Sequence, residues 1–197
     1  SNGVPLVRYE TLIGSLTLEQ LFLKYFNKKV ISNCESDGLW ESKNWAGTGG
    51  TYAAETTIVA AGYQSAKMTA DTTVHGIHEV FASSKNLALF DNSEVSTTAD
   101  YIGFSIYIPS QDLTDLGTAV LRITFHGDIE GTLTNYYYYD VTVAMLTAGY
   151  WNDFEILKSA FTGAGSPNWN AIKGVSMSVV GSLSAEVVAY IDDICFI

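Results

Sequence analysis

Proline is nearly missing from this chain, with three residues in 197. That excludes polyproline segments and Pro-rich linkers, and it leaves long stretches whose backbone N–H groups are all free to enter β-ladders. Cysteine is scarce too, and two residues exclude a disulfide-rich scaffold. Cys34 and Cys195 either bridge the first and last strands or stay as free core thiols. In an oxidising compartment such a bridge would contribute about 5 kcal/mol in the chain-entropy picture. Positive charge is short as well: ten Lys and Arg stand against 21 Asp and Glu, for a formal net charge of -11. A nucleic-acid partner requires a basic footprint, and an anionic membrane surface attracts only basic segments, so both are excluded. No apolar run approaches the ~20 residues that a spanning helix needs, which argues against membrane insertion. An initiator Met and a signal peptide are also lacking; the expectation is a mature chain or a piece cut from a longer one, with Ser1-Asn2 as a tag remnant.

Apolar residues are plentiful at 47%, and only 16% of residues are charged. That balance supplies a packed core and excludes intrinsic disorder. The length suits one domain with an extension. Abundant Thr, Ser, Val and Tyr, with 17 Gly marking turns, point to an all-β fold.

Two parts of the chain are distinguished. Residues 1–29 form an N-terminal arm with a helix: Thr17 and Gln20 fit a capping box, and Leu18, Leu21, Phe22, Tyr25 and Phe26 repeat at helical spacing. That apolar stripe either caps the fold or docks on another subunit. Residues 30–197 read as short strands between polar turns. In Asp100–Ile108, Ile102, Phe104, Ile106 and Ile108 face the core, while Tyr101, Gly103, Ser105 and Tyr107 face away. Val120–His126 repeats the pattern, with Leu121, Ile123 and Phe125 inward and Arg122, Thr124 and His126 outward. Thr134–Met145 puts Tyr137, Tyr139 and Val141 on one face and Tyr136, Tyr138 and Asp140 on the other. Further strands are expected at Tyr63–Thr69, Gly76–Ala82, Asn86–Phe90, Tyr150–Leu157, Val175–Val180 and Glu186–Phe196, with Ser42–Thr57 a loop and Trp169 and Ile172 plugging one end of the core. This regular spacing indicates a two-sheet antiparallel β-sandwich.

The closing strand holds two adjacent acids, Asp192 and Asp193, in an apolar run. Side chains alternate along a strand, so one acid is expected on the apolar side, where an unpaired carboxylate costs several kcal/mol. If Cys34 lies opposite Cys195, Asp37 falls opposite Asp192 and Ser36 opposite Asp193. That register gathers Glu35, Asp37, Asp192 and Asp193, a set of hard oxygen ligands suited to a structural Ca²⁺. Which of the two closing acids faces inward is left open, because a bulge would reverse the alternation.

Glu35 and Trp40 near the first strand, Gly149-Tyr150-Trp151-Asn152 opening a later one, and the closing Tyr190-Ile191-Asp192-Asp193-Ile194 occur in that order. In this the chain resembles the jelly-roll carbohydrate-binding modules with a galactose-binding-domain-like fold. The resemblance covers residues 30–197. It implies a Ca²⁺ tying the first strand to the last, with Glu35 and Asp192 or Asp193 as ligands, and a glycan as partner.

The residues support a glycan surface independently. Exposed rings stack on sugar C–H faces, and charged or amide groups bind hydroxyls. The ligand contacts expected are Trp45, Tyr101, Tyr107, Arg122, Tyr136 and Tyr138. A jelly roll sends consecutive strands to alternate sheets, so these residues need not share a face. Catalysis is not expected: Asp153 and Glu155 share a strand face, for which a solvated face is the commoner cause, His75-Gly76-Ile77-His78 is too short for a zinc motif, and neither a nucleophile elbow nor a phosphate loop occurs. The expectation is a non-catalytic carbohydrate-binding module, extracellular or surface-displayed. The alternative is a structural or adhesive subunit of a virion (phage capsid or tail decoration, or receptor-binding protein) or another surface assembly, with residues 1–28 mediating a homo-oligomer or larger assembly.

Overall fold

Alternating apolar and polar residues build two antiparallel sheets that close on one core. The computed structural model describes residues 29–32, 34–35, 40–43, 51–71, 76–87, 101–128 and 134–196. The expectations on residues 1–28, Asp37, Trp45 and His75 lie outside these residues. The strands are β1 (Lys29–Ser32), β2 (Trp40–Lys43), β3 (Thr51–Glu55), β4 (Ser65–Ala70), β5 (Gly76–Lys85), β6 (Tyr101–Tyr107), β7 (Val120–His126), β8 (Tyr136–Val141), β9 (Trp151–Leu157), β10 (Thr162–Ala164), β11 (Ile172–Val180) and β12 (Val187–Phe196). The first sheet runs β3-β4-β12-β6-β9, with β1 pairing the far end of β12; the second runs β10-β8-β7-β11-β5-β2.

The core is where the inward parities of β6 and β7 meet. Ile102, Ile106, Leu121, Ile123 and Phe125 are fully buried, and Phe104 nearly so. Burying each such side chain stabilises the fold by about 1.5–3 kcal/mol. Phe104 stacks on Phe154 of β9 at 5.1 Å between ring centroids. One end is closed by Trp169, stacked on Tyr137 at 4.0 Å and edge-on to Phe161 at 5.7 Å. The expected plug of Trp169 and Ile172 is therefore in place, with Ile172 fully buried.

Four local expectations are corrected. The expected loop Ser42–Thr57 contains β3, whose residues are mostly exposed because it lies at a sheet edge. Asn86 and Leu87 lie beyond the end of β5 rather than in a strand of their own. The short β10 falls where a loop was expected, held by pairing with β8. A helix, α1 (Ser110–Leu116), follows β6; at seven residues it is too short to show an apolar stripe, and it ends at Gly117 with φ 57°.

Candidate functional site

The outer face of the second sheet carries a dense polar and aromatic grouping. Register sets three rows across it. Gly76, Ser178, Arg122 and Asp140 form one, and His78, Ser176, Thr124 and Tyr138 the next. Gly174, His126 and Tyr136 form the third. Arg122 donates through Nε and an Nη to the two Asp140 carboxylate oxygens at 2.7 and 2.8 Å. This hydrogen-bonded carboxylate drives the guanidinium further into its charged form. The same guanidinium lies 3.9 Å from the centre of the Tyr138 ring. Tyr136 sits 6.0 Å from Tyr138 and 6.2 Å from His126. A fork fixed by two hydrogen bonds and a ring face is pre-organised, so little freedom is left to lose when a ligand arrives.

Beside this half-exposed strip lies a polar floor. His78, Thr124, His126, Ser176 and Ser178 are all buried although they face away from the core. His126 Nε2 lies 2.8 Å from Ser176 Oγ. The two serines were not anticipated as site residues. The signal was present: Val175, Met177 and Val179 alternate with them and are fully buried, which leaves the serines on the opposite face.

Tyr101 and Tyr107 are elsewhere. They lie on β6, in the first sheet, and point away from the core. The six expected contacts therefore do not make one surface: Arg122, Tyr136 and Tyr138 share a face, Tyr101 and Tyr107 share the opposite one, and Trp45 lies outside the described residues.

The junction of the first and last strands is also re-registered. Val30, not Cys34, lies opposite Cys195. Strand pairing stops at Ser32, and Cys34 turns away with φ 58°. Both cysteines are buried, with no disulfide between them. In β12 one extra residue sits between the pairs Asp192↔Ser105 and Cys195↔Gly103. Asp193, at φ 53°, is the bulged residue. Ordinary alternation from Ile191 puts Asp192 on the outer face beside Ser105, and the bulge that follows lets Ile194 enter the core as Ile191 does. Neither acid faces the core, which corrects the expectation that one would.

Asp192 is nonetheless fully buried, because the loop between β3 and β4 folds over it. Its Oδ2 accepts the N–H groups of Ala60 and Ala61 at 2.9 and 3.0 Å, and its Oδ1 that of Asp193 at 2.7 Å. Glu35 Oε1 accepts the Tyr63 N–H at 2.7 Å, so acids from both ends of the sandwich grip one loop. Burial pushes the Asp192 carboxyl up, against the lowering effect of its three N–H donors. N–H donors on both oxygens suit an anion and leave poor access for a cation. Among the described residues no three His, Cys, Asp or Glu side chains gather to hold a metal ion.

A second buried acid has a consequence for pH. Glu79 lies on the core-facing side of β5 opposite Trp40, and its Oε2 has no hydrogen-bond partner among the described residues. Burial pushes its carboxyl up, with Ser32 and then Lys85 opposing. A raised folded-state pKa contributes stability below the ordinary Glu range and loses it as pH rises through the folded-state value. Stability should therefore fall on going from mildly acidic to neutral pH, and Glu79→Gln should flatten that slope. Urea midpoints measured at several pH values check this; equal slopes for the two proteins would rule it out.

Compared by sequence, the chain matches no protein-family model and no curated protein. Compared by structure, it is similar to the family 11 carbohydrate-binding module of a cellulosomal cellulase of Clostridium thermocellum, with a TM-score of 0.59 at 13% identity over 86% of this chain and 94% of the other. The same family's module from that organism, in complex with a β-1,3-1,4-mixed-linked tetrasaccharide, matches at a TM-score of 0.56 and 14% identity, covering 86% and 95% of the two chains. An agarase matches at a TM-score of 0.55 and 8% identity, where 85% of this chain covers 26% of the enzyme. The chain is a two-sheet jelly-roll sandwich with the fold of carbohydrate-binding modules.

Proposed function

We propose that this protein is a non-catalytic carbohydrate-binding module whose glycan lies on the outer face of the second sheet. The observation that carries this reading is the strip of Arg122, Asp140, Tyr138 and Tyr136 beside a floor of buried hydroxyls and imidazoles. Rings supply faces for sugar C–H groups, while the Arg122–Asp140 fork and the tyrosine hydroxyls supply directed hydrogen bonds. The module in complex with the mixed-linked tetrasaccharide shares this fold and suggests a neutral β-glucan as the first ligand to try. Asp140 is tied to Arg122 and so is not poised as an acid or base, which favours binding over hydrolysis. An extracellular or surface-displayed location goes with this function.

The test is a glycan array followed by affinity electrophoresis in gels containing the ligand found. Tyr138→Ala removes the ring and unseats Arg122, and it should weaken retention at least tenfold, about 1.4 kcal/mol, with little change in Tm. A blank array across plant, microbial and host sugars would overturn the reading in favour of a structural or adhesive subunit.

Calcium at the strand junction stays a separate proposal, one that needs Asp37 or carbonyl oxygens beyond the described residues. A bound ion adds stability to the native state by mass action. A Tm that falls in EDTA supports the ion; an unchanged Tm removes it.

A further inference from the structure

We propose that the opposite face of the sandwich carries a second contact for a neutral polysaccharide chain, floored by Lys67, Tyr190, Tyr107 and Trp151. The ligand class rests on the glycan-binding reading above; the site does not, since it lies on the other sheet. Register aligns the four residues across β4, β12, β6 and β9: Lys67↔Tyr190, Tyr190↔Tyr107 and Tyr107↔Trp151. At about 4.8 Å between strands the row is roughly 14 Å long, room for a short run of sugar rings. None of the three rings belongs to the core cluster. They touch one another instead: Tyr107 lies 5.7 Å from Trp151 and 5.6 Å from Tyr190, and the Lys67 ammonium lies 5.9 Å from the Tyr190 ring.

The row is set into the surface. Two residues along β12 in one direction, the loop held by Asp192 crosses the outer face. Two residues in the other direction, α1 takes the place that β6 vacates, and Asp112 accepts the Val188 N–H. Tyr190 is only 5% exposed as a result, while Tyr107 and Trp151 remain half-exposed and the adjoining Tyr150 is 69% exposed. Glu55 and Asp112 both bear on the Tyr190 phenol. Ser105 donates to Asp153 at 2.6 Å in the next row. Ring faces bordered by carboxylates, a hydroxyl and one ammonium can hold sugar rings and accept from their hydroxyls.

Charge narrows the ligand. With a net charge of -11 and acids on both sides of the row, a uronate or sulfated chain is repelled and a neutral one is not. The rings are tilted by 55° and 77° rather than coplanar, which suits a soluble, twisted chain and not a flat crystalline surface. Contacts on opposite sheets let one module hold two chains, or two parts of one chain with added avidity.

Titration calorimetry with the β-1,3-1,4-mixed-linked tetrasaccharide, and with a galacturonate oligomer as the charged control, tests this. The unaltered protein should bind two tetrasaccharides and no galacturonate. Trp151→Ala and Tyr138→Ala should each leave one site, and the double variant none. Melting curves run alongside; if Trp151→Ala melts early, Lys67→Glu carries the test and should also leave one site. One site in the unaltered protein, lost in Tyr138→Ala and unchanged in Trp151→Ala and Lys67→Glu, overturns the second contact and leaves the first standing. One site lost only in Trp151→Ala supports this face and overturns the other. No binding of this tetrasaccharide, alongside a blank glycan array, overturns both.

Discussion

Asp192→Ala is expected to lower stability by about 3–5 kcal/mol, because three part-buried N–H groups lose their acceptor at once and each donor left unsatisfied costs roughly 1–3 kcal/mol. Those donors are on Ala60, Ala61 and Asp193, and the carboxylate that serves them is fully buried. For a domain of this size 1 kcal/mol moves Tm by about 2–4 °C, so a fall of about 10 °C is expected. Asp192→Asn is the informative control. It keeps one acceptor oxygen for Ala60 and Ala61 but turns an amide NH₂ toward the Asp193 N–H, so it should fall between the two. Thermal melts by circular dichroism give the answer. A Tm for Asp192→Ala within 2 °C of the unaltered protein would show that water replaces the carboxylate at little cost, and the account of this loop would be wrong.

Gly165→Ala is expected to lower stability by about 2–4 kcal/mol and to weaken glycan retention as well. Gly165 has φ 69°, where a side chain costs about 1–2 kcal/mol. Its Cβ would also lie 2.1 Å from the Thr134 carbonyl oxygen and 2.8 Å from Asn135 Oδ1. Backbone cannot yield as a flexible side chain does, so the turn must move. Moving it breaks the Ser166 N–H bond to Asn135 Oδ1 and disturbs β10, which pairs with Tyr136, Tyr137 and Tyr138. Gly149→Ala separates the two contributions: its φ is 75°, but nothing lies within 4 Å of the added Cβ. That variant should lose only about 1 kcal/mol and leave retention alone. Equal Tm values for the two glycine variants would mean that backbone conformation, and not the clash, sets the cost.

The strands that were legible are the ones with one apolar face and one more polar face. Tyr101–Tyr107 and Val120–His126 show a period of two because the core takes every second residue, and their inward sets are all buried. Two of the edge strands were not legible. β3 has little to bury and β10 has three residues, so neither carries a pattern. Arg122, Tyr136 and Tyr138 were recognisable as outward residues from alternation, and β7 and β8 do pair with one another. Tyr101 and Tyr107 have the same outward signature, and nothing local says that β6 belongs to the other sheet. Thr124 and His126 read as outward too, but not as buried; their neighbours across the sheet decide that.

Taken alone, the sequence determined the all-β class, the positions of the long strands and the faces of side chains along unbulged strands, because a pleat's alternation depends only on neighbouring residues in the chain. Tertiary structure decided which strands lie side by side: the division of the aromatic residues between two surfaces, the four-residue offset between β1 and β12, and the bulge at Asp193 that returns Ile194 to the core. Pairing is settled between residues far apart in the chain, where a shift of one position exchanges the two faces. No local pattern encodes that choice.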